Sequence, residues 1–321
     1  MNLPIPEIYK PDLVGRLYVE RAALVAETAE SYREHHQIQS SAQDKQRIAA
    51  FGIDCQIGFC HPQASLFVPG AVEDTQRAIE WIYRNLGKIT GLHFSMDTHR
   101  VFQIFHPAFW VDADGHHPDP FTVVTVDDVR SGRFMPIAHP KECLEYCRQL
   151  ETQGKYVLSI WPYHTLLGGV SHALVPALME AAIFHSLVRR RQTHFETKGT
   201  HAMTENYSVL SPEVEELGGQ IVGSFNTSFF KMLMEYDRIY VFGQAKSHCV
   251  LSTLKDIQTR IEITDPCLAR KIWILEDATS PVPAPPIDPL PDELNFPVVA
   301  DRAFDEFKRA GMNIVRTTDT V

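Results

Sequence analysis

RIAAFGIDC (residues 47–55) is the stretch on which the fold turns. It is an apolar run of strand length that ends in Asp54. Downstream, TQRAIEWIYRNLG (75–87) has apolar residues at helical spacing and a closing glycine, Gly87. ITGLHFSMDTH (89–99) is again strand-like and ends in Asp97 and His99. Strand, helix and strand in that order form a βαβ unit, which favours a parallel sheet.

The alternation continues outward from this unit. Strand-like runs stand at YVLSIWP (156–162), THFETKG (193–199), RIYVFGQ (238–244) and KIWILED (271–277). Helical patterns stand at 13–36, 172–188 and 248–261, and residues 300–317 read as helix, glycine, strand. The expected fold class is α/β, a doubly wound, mainly parallel six-stranded sheet with helices on both faces. One domain over 1–321 accounts for the pattern: a helical N-terminal extension (1–46), a core (47–321), an insertion after the second strand (107–155) and a proline-rich, PPII-like connector (281–297).

Composition narrows the function classes. The chain has 321 residues, 44% of them hydrophobic, enough for a substantial core. A net charge of −10 disfavours a nucleic-acid or anionic-membrane binder, which needs a basic face. No apolar run approaches the roughly 18 residues of a membrane span, and the opening MNLPIPEIYKPD does not read as a signal peptide. Six cysteines without CxxC spacing read as reduced thiols. A cytoplasmic protein is the expectation.

In an open parallel sheet, ligands bind beyond the carboxyl ends of the strands. There the sequence puts Asp54, Asp97 with His99, Trp161 with His164, Lys198, and the loop leading to Cys249. A lone aspartate at a strand end is most often a cap or turn former, a lone lysine is usually solvated, and a lone histidine is usually satisfied. Their convergence on one rim has no such explanation. At the start of a helix, Cys249 has free N–H groups and the dipole favouring a thiolate, and Lys198 would lower its pKa further. Asp54 would take the thiol proton and pass it to a leaving group, with an oxyanion hole from the preceding loop. By position alone Cys249 is equally a small buried residue. Asp97 and His99 suit Zn²⁺, Mn²⁺ or Fe²⁺, with His164 as the natural third ligand and His106 as a weaker fourth candidate.

Taken in order, GIDCQIGF (52–59), DTH (97–99), WPYH (161–164), KG with NYS (198–199, 206–208) and GQAKSHCV (243–250) resemble the nicotinamidase/pyrazinamidase group of the isochorismatase-like cysteine hydrolases. The resemblance covers roughly residues 47–277. It implies a catalytic triad of Asp54, Lys198 and Cys249, and one divalent metal ion, zinc foremost, on Asp97, His99 and His164. It further implies a cis peptide at Gln244–Ala245 that sets the N–H groups of Ala245 and Cys249 on the tetrahedral oxygen. Phe59 and Trp161 would sandwich a flat ring, and Gln56 and Tyr207 would line the pocket.

The implied reaction is amide hydrolysis through a thioester, on nicotinamide or a related heteroaromatic carboxamide, in a homo-oligomer. The insertion is absent from compact members of that group, and Lys246 and Ser247 stand where a Thr-Asp pair is common. Alternatives are a hydrolase of another small amide, carbamoyl or ureido, or a non-catalytic relative acting as an interaction protein. Cys249 disfavours an isochorismatase-type vinyl-ether hydrolase.

Overall fold

The run at 47–55 is a strand, β1 (Ile48–Ile53), buried along its whole length. In the computed structural model it lies near the middle of a six-stranded sheet with β2 (Gly91–Asp97), β3 (His194–Lys198), β4 (Arg238–Gly243), β5 (Ile272–Leu275) and β6 (Asn313–Val315). The order is β6-β5-β4-β1-β2-β3, and every neighbouring pair is parallel. Residues 3–153, 156–285 and 288–321 are described. The parts of the expected N-terminal extension, insertion and connector at 1–2, 154–155 and 286–287 lie outside the described residues.

Among the described residues, the helices of eight residues or more are α1 (Ala22–His35), α2 (Ala71–Arg84), α3 (Pro140–Gln153), α4 (Pro176–Arg189), α5 (Thr227–Met234), α6 (Leu251–Thr264) and α7 (Phe296–Arg309). Alternation along the strands sorts them onto two faces. Ala49, Phe51 and Ile53 of β1 and Ile239 and Val241 of β4 pack with α3, α5, α6 and α7. Ala50 of β1, Phe94 of β2 and Tyr240 and Phe242 of β4 pack with α1, α2 and α4. The sheet is therefore doubly wound. None of the described helices is long and apolar enough to cross a membrane.

Two expected elements differ. The helix expected over 13–36 occupies only Ala22–His35. The buried Glu180 of α4 accepts the Arg21 backbone N–H at 2.8 Å and binds the Arg21 guanidinium, so a carboxylate from another helix fixes where α1 begins. Upstream, Leu17 and Val19 are exposed. The run at 156–162 does not join the sheet. Only Leu158–Ser159 is extended in a ladder, antiparallel to Val123–Val124. Ile160 and Trp161 donate to the carbonyls of Thr122 and Phe105 instead, and the edge beside β2 belongs to β3.

The insertion is structured. Trp110–Val111 pairs with Met135–Pro136, a capping box between Thr125 and Asp128 starts a helix at Val126–Ser131, and α3 follows. Phe109, Trp110, Cys143, Tyr146 and Leu150 enter the larger core cluster. From β1 the chain builds outward to β2 and β3, then returns to the other side of β1 with β4. The crevice at this reversal opens beyond the carboxyl ends of β1 and β4.

Candidate active site

Asp54 is the first residue past β1, with φ 48°, a left-handed conformation that aspartate tolerates better than most residues. Ser95 on the neighbouring β2 holds it twice: the Ser95 hydroxyl donates to Asp54 Oδ1 at 2.6 Å and accepts the Asp54 N–H at 3.0 Å. Lys198, at the end of β3, reaches the same place. Its Nζ lies 3.0 Å from Asp54 Oδ2 and 2.7 Å from Asp97 Oδ1, donates to the Asn206 carbonyl at 2.7 Å, and is 3.7 Å from Cys249 Sγ. Four segments thus converge on one buried ammonium. Burial alone would favour its neutral form, but Asp54 and Asp97 outweigh this and hold its pKa well above the usual lysine value.

Cys249 occupies a π-helical turn, Lys246–Val250, that runs into α6. Burial pushes the thiol pKa well up, and the pull of Lys198 does not overcome it. Burial also raises the pKa of the Asp54 carboxyl, against the pull of Lys198. Burial thus opposes the thiolate that the helix start and Lys198 favour, and the same burial raises the proton affinity of the neighbouring Asp54 carboxyl. The peptide Gln244–Ala245 before the turn is cis, where the resemblance puts it.

Asp97, His99 and His164 come together as a second cluster, their donor atoms within 4.8 Å of one another. His99 Nδ1 faces the Gly199 carbonyl at 3.2 Å, and His164 Nδ1 faces the Pro162 carbonyl at 2.7 Å. These contacts orient the two rings with both Nε2 atoms turned toward Asp97 Oδ2, at 2.7 and 3.5 Å. His99 Nε2 is buried there without a well-directed hydrogen bond. Burial would raise the Asp97 pKa, but His99 and Lys198 outweigh it and keep the carboxyl well below its usual range. Gly199, at φ 78°, closes the cluster, and a Cβ there would meet His99 Cε1 at 2.8 Å. His106 stands outside the three-residue group. Its ring centroid is 5.8 Å from that of His99, and its Nε2 is buried without a partner.

A cavity lined by Phe59, Trp161, Tyr207, Asp97, His164, Lys198, Ala245 and Cys249 faces both clusters. Trp161 Nε1 donates to the Tyr207 hydroxyl at 3.0 Å, which fixes that wall. Gln56 corrects an expectation, because it does not line the cavity. It is fully buried, accepts the Asp97 N–H at 2.7 Å, and donates to the carbonyls of Asp97 at 2.9 Å and His172 at 2.8 Å. It holds the backbone of Asp97 in place. Lys246 also points elsewhere, to Asp301 at 2.6 Å and over the Phe304 ring of α7. The charge change beside Cys249 therefore faces α7.

Five other cavity residues, Leu66, Val68, Glu205, His248 and Val282, left no sign in the sequence. Glu205, its N–H donated to the Tyr146 hydroxyl, is pushed up to about pKa 8, chiefly by burial and then by Asp97. His248 is buried among aromatic rings, and Val282 comes from the proline-rich connector. Only the KG…NYS spacing bore on the Glu205 segment.

Among solved structures, the chain is similar to an Acinetobacter baumanii nicotinamidase/pyrazinamidase, with TM-score 0.53 and 20% identity over 87% of this chain and 100% of that one. It is also similar to the yeast nicotinamidase bound to the inhibitor nicotinaldehyde, with TM-score 0.52 and 18% identity over 84% of this chain and 99% of that one. No protein-family model and no curated protein matches it. At these identities the likeness is one of fold: the architecture is the nicotinamidase-like α/β fold.

Proposed function

We propose that the chain is a metal-assisted cysteine amidohydrolase that converts nicotinamide, or a related heteroaromatic carboxamide, to the acid and ammonia. The carrying observation is the Lys198 ammonium, which ties Asp54, Cys249 and Asp97 to one cavity wall. A structural ion pair needs no cysteine thiol 3.7 Å from the ammonium and no two histidine Nε2 atoms turned to the same carboxylate.

One carboxylate and two imidazoles, with His99 Nε2 buried and lacking a well-directed bond, fit a borderline divalent ion such as Zn²⁺, with Mn²⁺ or Fe²⁺ as alternatives. Asp97, His99 and His164 would hold that ion, which when bound supplies a Lewis-acid anchor for a ring nitrogen. The chain's own residues do the rest. Asp54 takes the Cys249 proton as the sulfur attacks the amide carbon, and the N–H groups of Ala245 and Cys249 face the oxyanion. The C–N bond breaks as Asp54 returns the proton to nitrogen, which releases ammonia and leaves a thioester. Asp54 then deprotonates a water that attacks the thioester carbon, and the sulfur departs with the proton. Lys198 stabilises the anionic charge throughout, and Phe59, Trp161 and Tyr207 hold the ring.

The test is ammonia release from nicotinamide, pyrazinamide and a panel of aliphatic and ureido amides, with and without chelator, alongside metal analysis. The expected outcome is turnover of the heteroaromatic amides, lost with chelator, and roughly one transition metal per chain that is lost in His99→Ala. Turnover confined to ureido or aliphatic amides, or a metal-free active protein, would overturn the reading.

A further inference from the structure

Tyr156, just past the insertion, meets the turn that carries Cys249. Its hydroxyl donates to the Ser247 carbonyl at 2.5 Å, and its ring stacks on His248, with centroids 4.9 Å apart and planes 21° apart. Ser247 and His248 are the two residues before Cys249, inside the π-helical turn. That turn has an irregular bonding pattern. The Val250 N–H reaches back five residues to the Ala245 carbonyl, and the Leu251 N–H goes to His248 O. In an α-helix the Leu251 N–H would bond Ser247 O. The turn that presents Cys249 thus diverts the helical donor from a buried carbonyl, and a hydroxyl from outside the helix meets it. From the opposite side, the Ser247 hydroxyl accepts the Val282 N–H at 3.0 Å and contacts His248 Nδ1 at 2.9 Å.

We propose that Tyr156 is a positioning residue for the nucleophile: its hydroxyl on Ser247 O and its ring on His248 hold the π-helical turn in the register that keeps Cys249 Sγ beside Lys198 and Asp54. Tyr156 touches neither the thiol proton nor the amide, and it acts through the turn. The inference rests on Cys249 being the nucleophile, but it does not need any particular amide as substrate.

Tyr156→Phe keeps the ring and removes the hydroxyl. Three measurements on the metal-loaded protein test it: kcat and KM for ammonia release, the rate of Cys249 alkylation by iodoacetamide followed by peptide mapping, and hydrogen exchange of the peptide spanning 246–252. Mapping is needed because Cys267 is exposed and will react as well. The expected result is a fall in kcat and in Cys249 alkylation of about tenfold each, the effect of losing one buried hydrogen bond. KM should change less than about twofold, and exchange in 246–252 should accelerate while the rest of the molecule keeps its protection. A lowered melting temperature with unchanged kcat, alkylation and local exchange would assign Tyr156 to packing alone and overturn the proposal, as would alkylation that is unchanged or faster. If no amide is turned over by the parent protein, the substrate reading fails, and alkylation and exchange still decide the role of Tyr156.

Discussion

At the scale of single residues, the energetics of the site centre on a charge imbalance. One ammonium, Lys198, stands between the carboxylates of Asp54 and Asp97, all three nearly without solvent contact. Such a cluster is stable only while complete, because removing one partner strands the others in a medium that solvates them poorly. Lys198→Met should therefore abolish turnover and also lower stability by about 3–5 kcal/mol, read by denaturant unfolding. Cys249→Ala removes a thiol whose neighbours keep other partners, Lys198 on Asp54, Asp97 and the Asn206 carbonyl, and Asp54 on Ser95 and Lys198. It should lose ammonia release by about 10⁴-fold or more with bound metal retained and stability nearly unchanged. Full activity in Cys249→Ala would dispose of the nucleophile assignment.

At the scale of elements, the two strands at the reversal of the sheet leave no room for a side chain at Gly243. Its φ is 119°, and a Cβ there would lie 2.0 Å from the Ile53 carbonyl oxygen. Gly243→Ala should push β4 away from β1, cost more than about 2 kcal/mol, and separate Cys249 from Asp54, so activity and melting temperature fall together. β1 and β2 were legible as apolar runs with a polar tip and β3, HFETK, as a short run bounded by Thr193 and Gly199, and a strand's register fixes where its last residue points. Asp54, Asp97 and Lys198 could be placed from sequence for this reason. Some residues on irregular backbone could not. Glu205, His248 and Tyr156 owe their positions to tertiary hydrogen bonds and ring contacts that leave no periodic trace. Gln56 lies two residues past Asp54, where the chain has left the sheet and turns its amide under Asp97. The start of α1 was missed for the same reason, since Glu180, distant in sequence, sets it.

At the scale of the whole molecule, burial lowers the pKa of several histidines away from the Asp97–His99–His164 cluster. It lowers His93 and His248 to about pKa 3 and His185 to about 4. The unfolded rings titrate near 6.5. Above that pH neither state binds these protons, and there is no penalty. Below it the unfolded chain takes up protons that the native state refuses, so stability falls from about pH 6.5 toward about pH 4. Calorimetry of chelator-treated protein should record a melting temperature that declines over this window. His185→Gln, which keeps an N–H for the Ile89 carbonyl but does not titrate, should flatten part of the decline. A flat parent profile would contradict the assignment.

The ammonium at the heart of the cavity is carried by β3, the last strand of the sheet, which has a neighbour on one side only. Exposure alternates along β3 until Lys198, its one buried residue. Asp54 and the Cys249 turn, by contrast, hang from β1 and β4, which are flanked on both sides. On warming, the outermost strand is the first to detach. Lys198 would leave with it while the thiol and its base remain seated. Heat should thus switch the protein off reversibly some degrees before it melts, and cooling should restore turnover without refolding the rest of the chain.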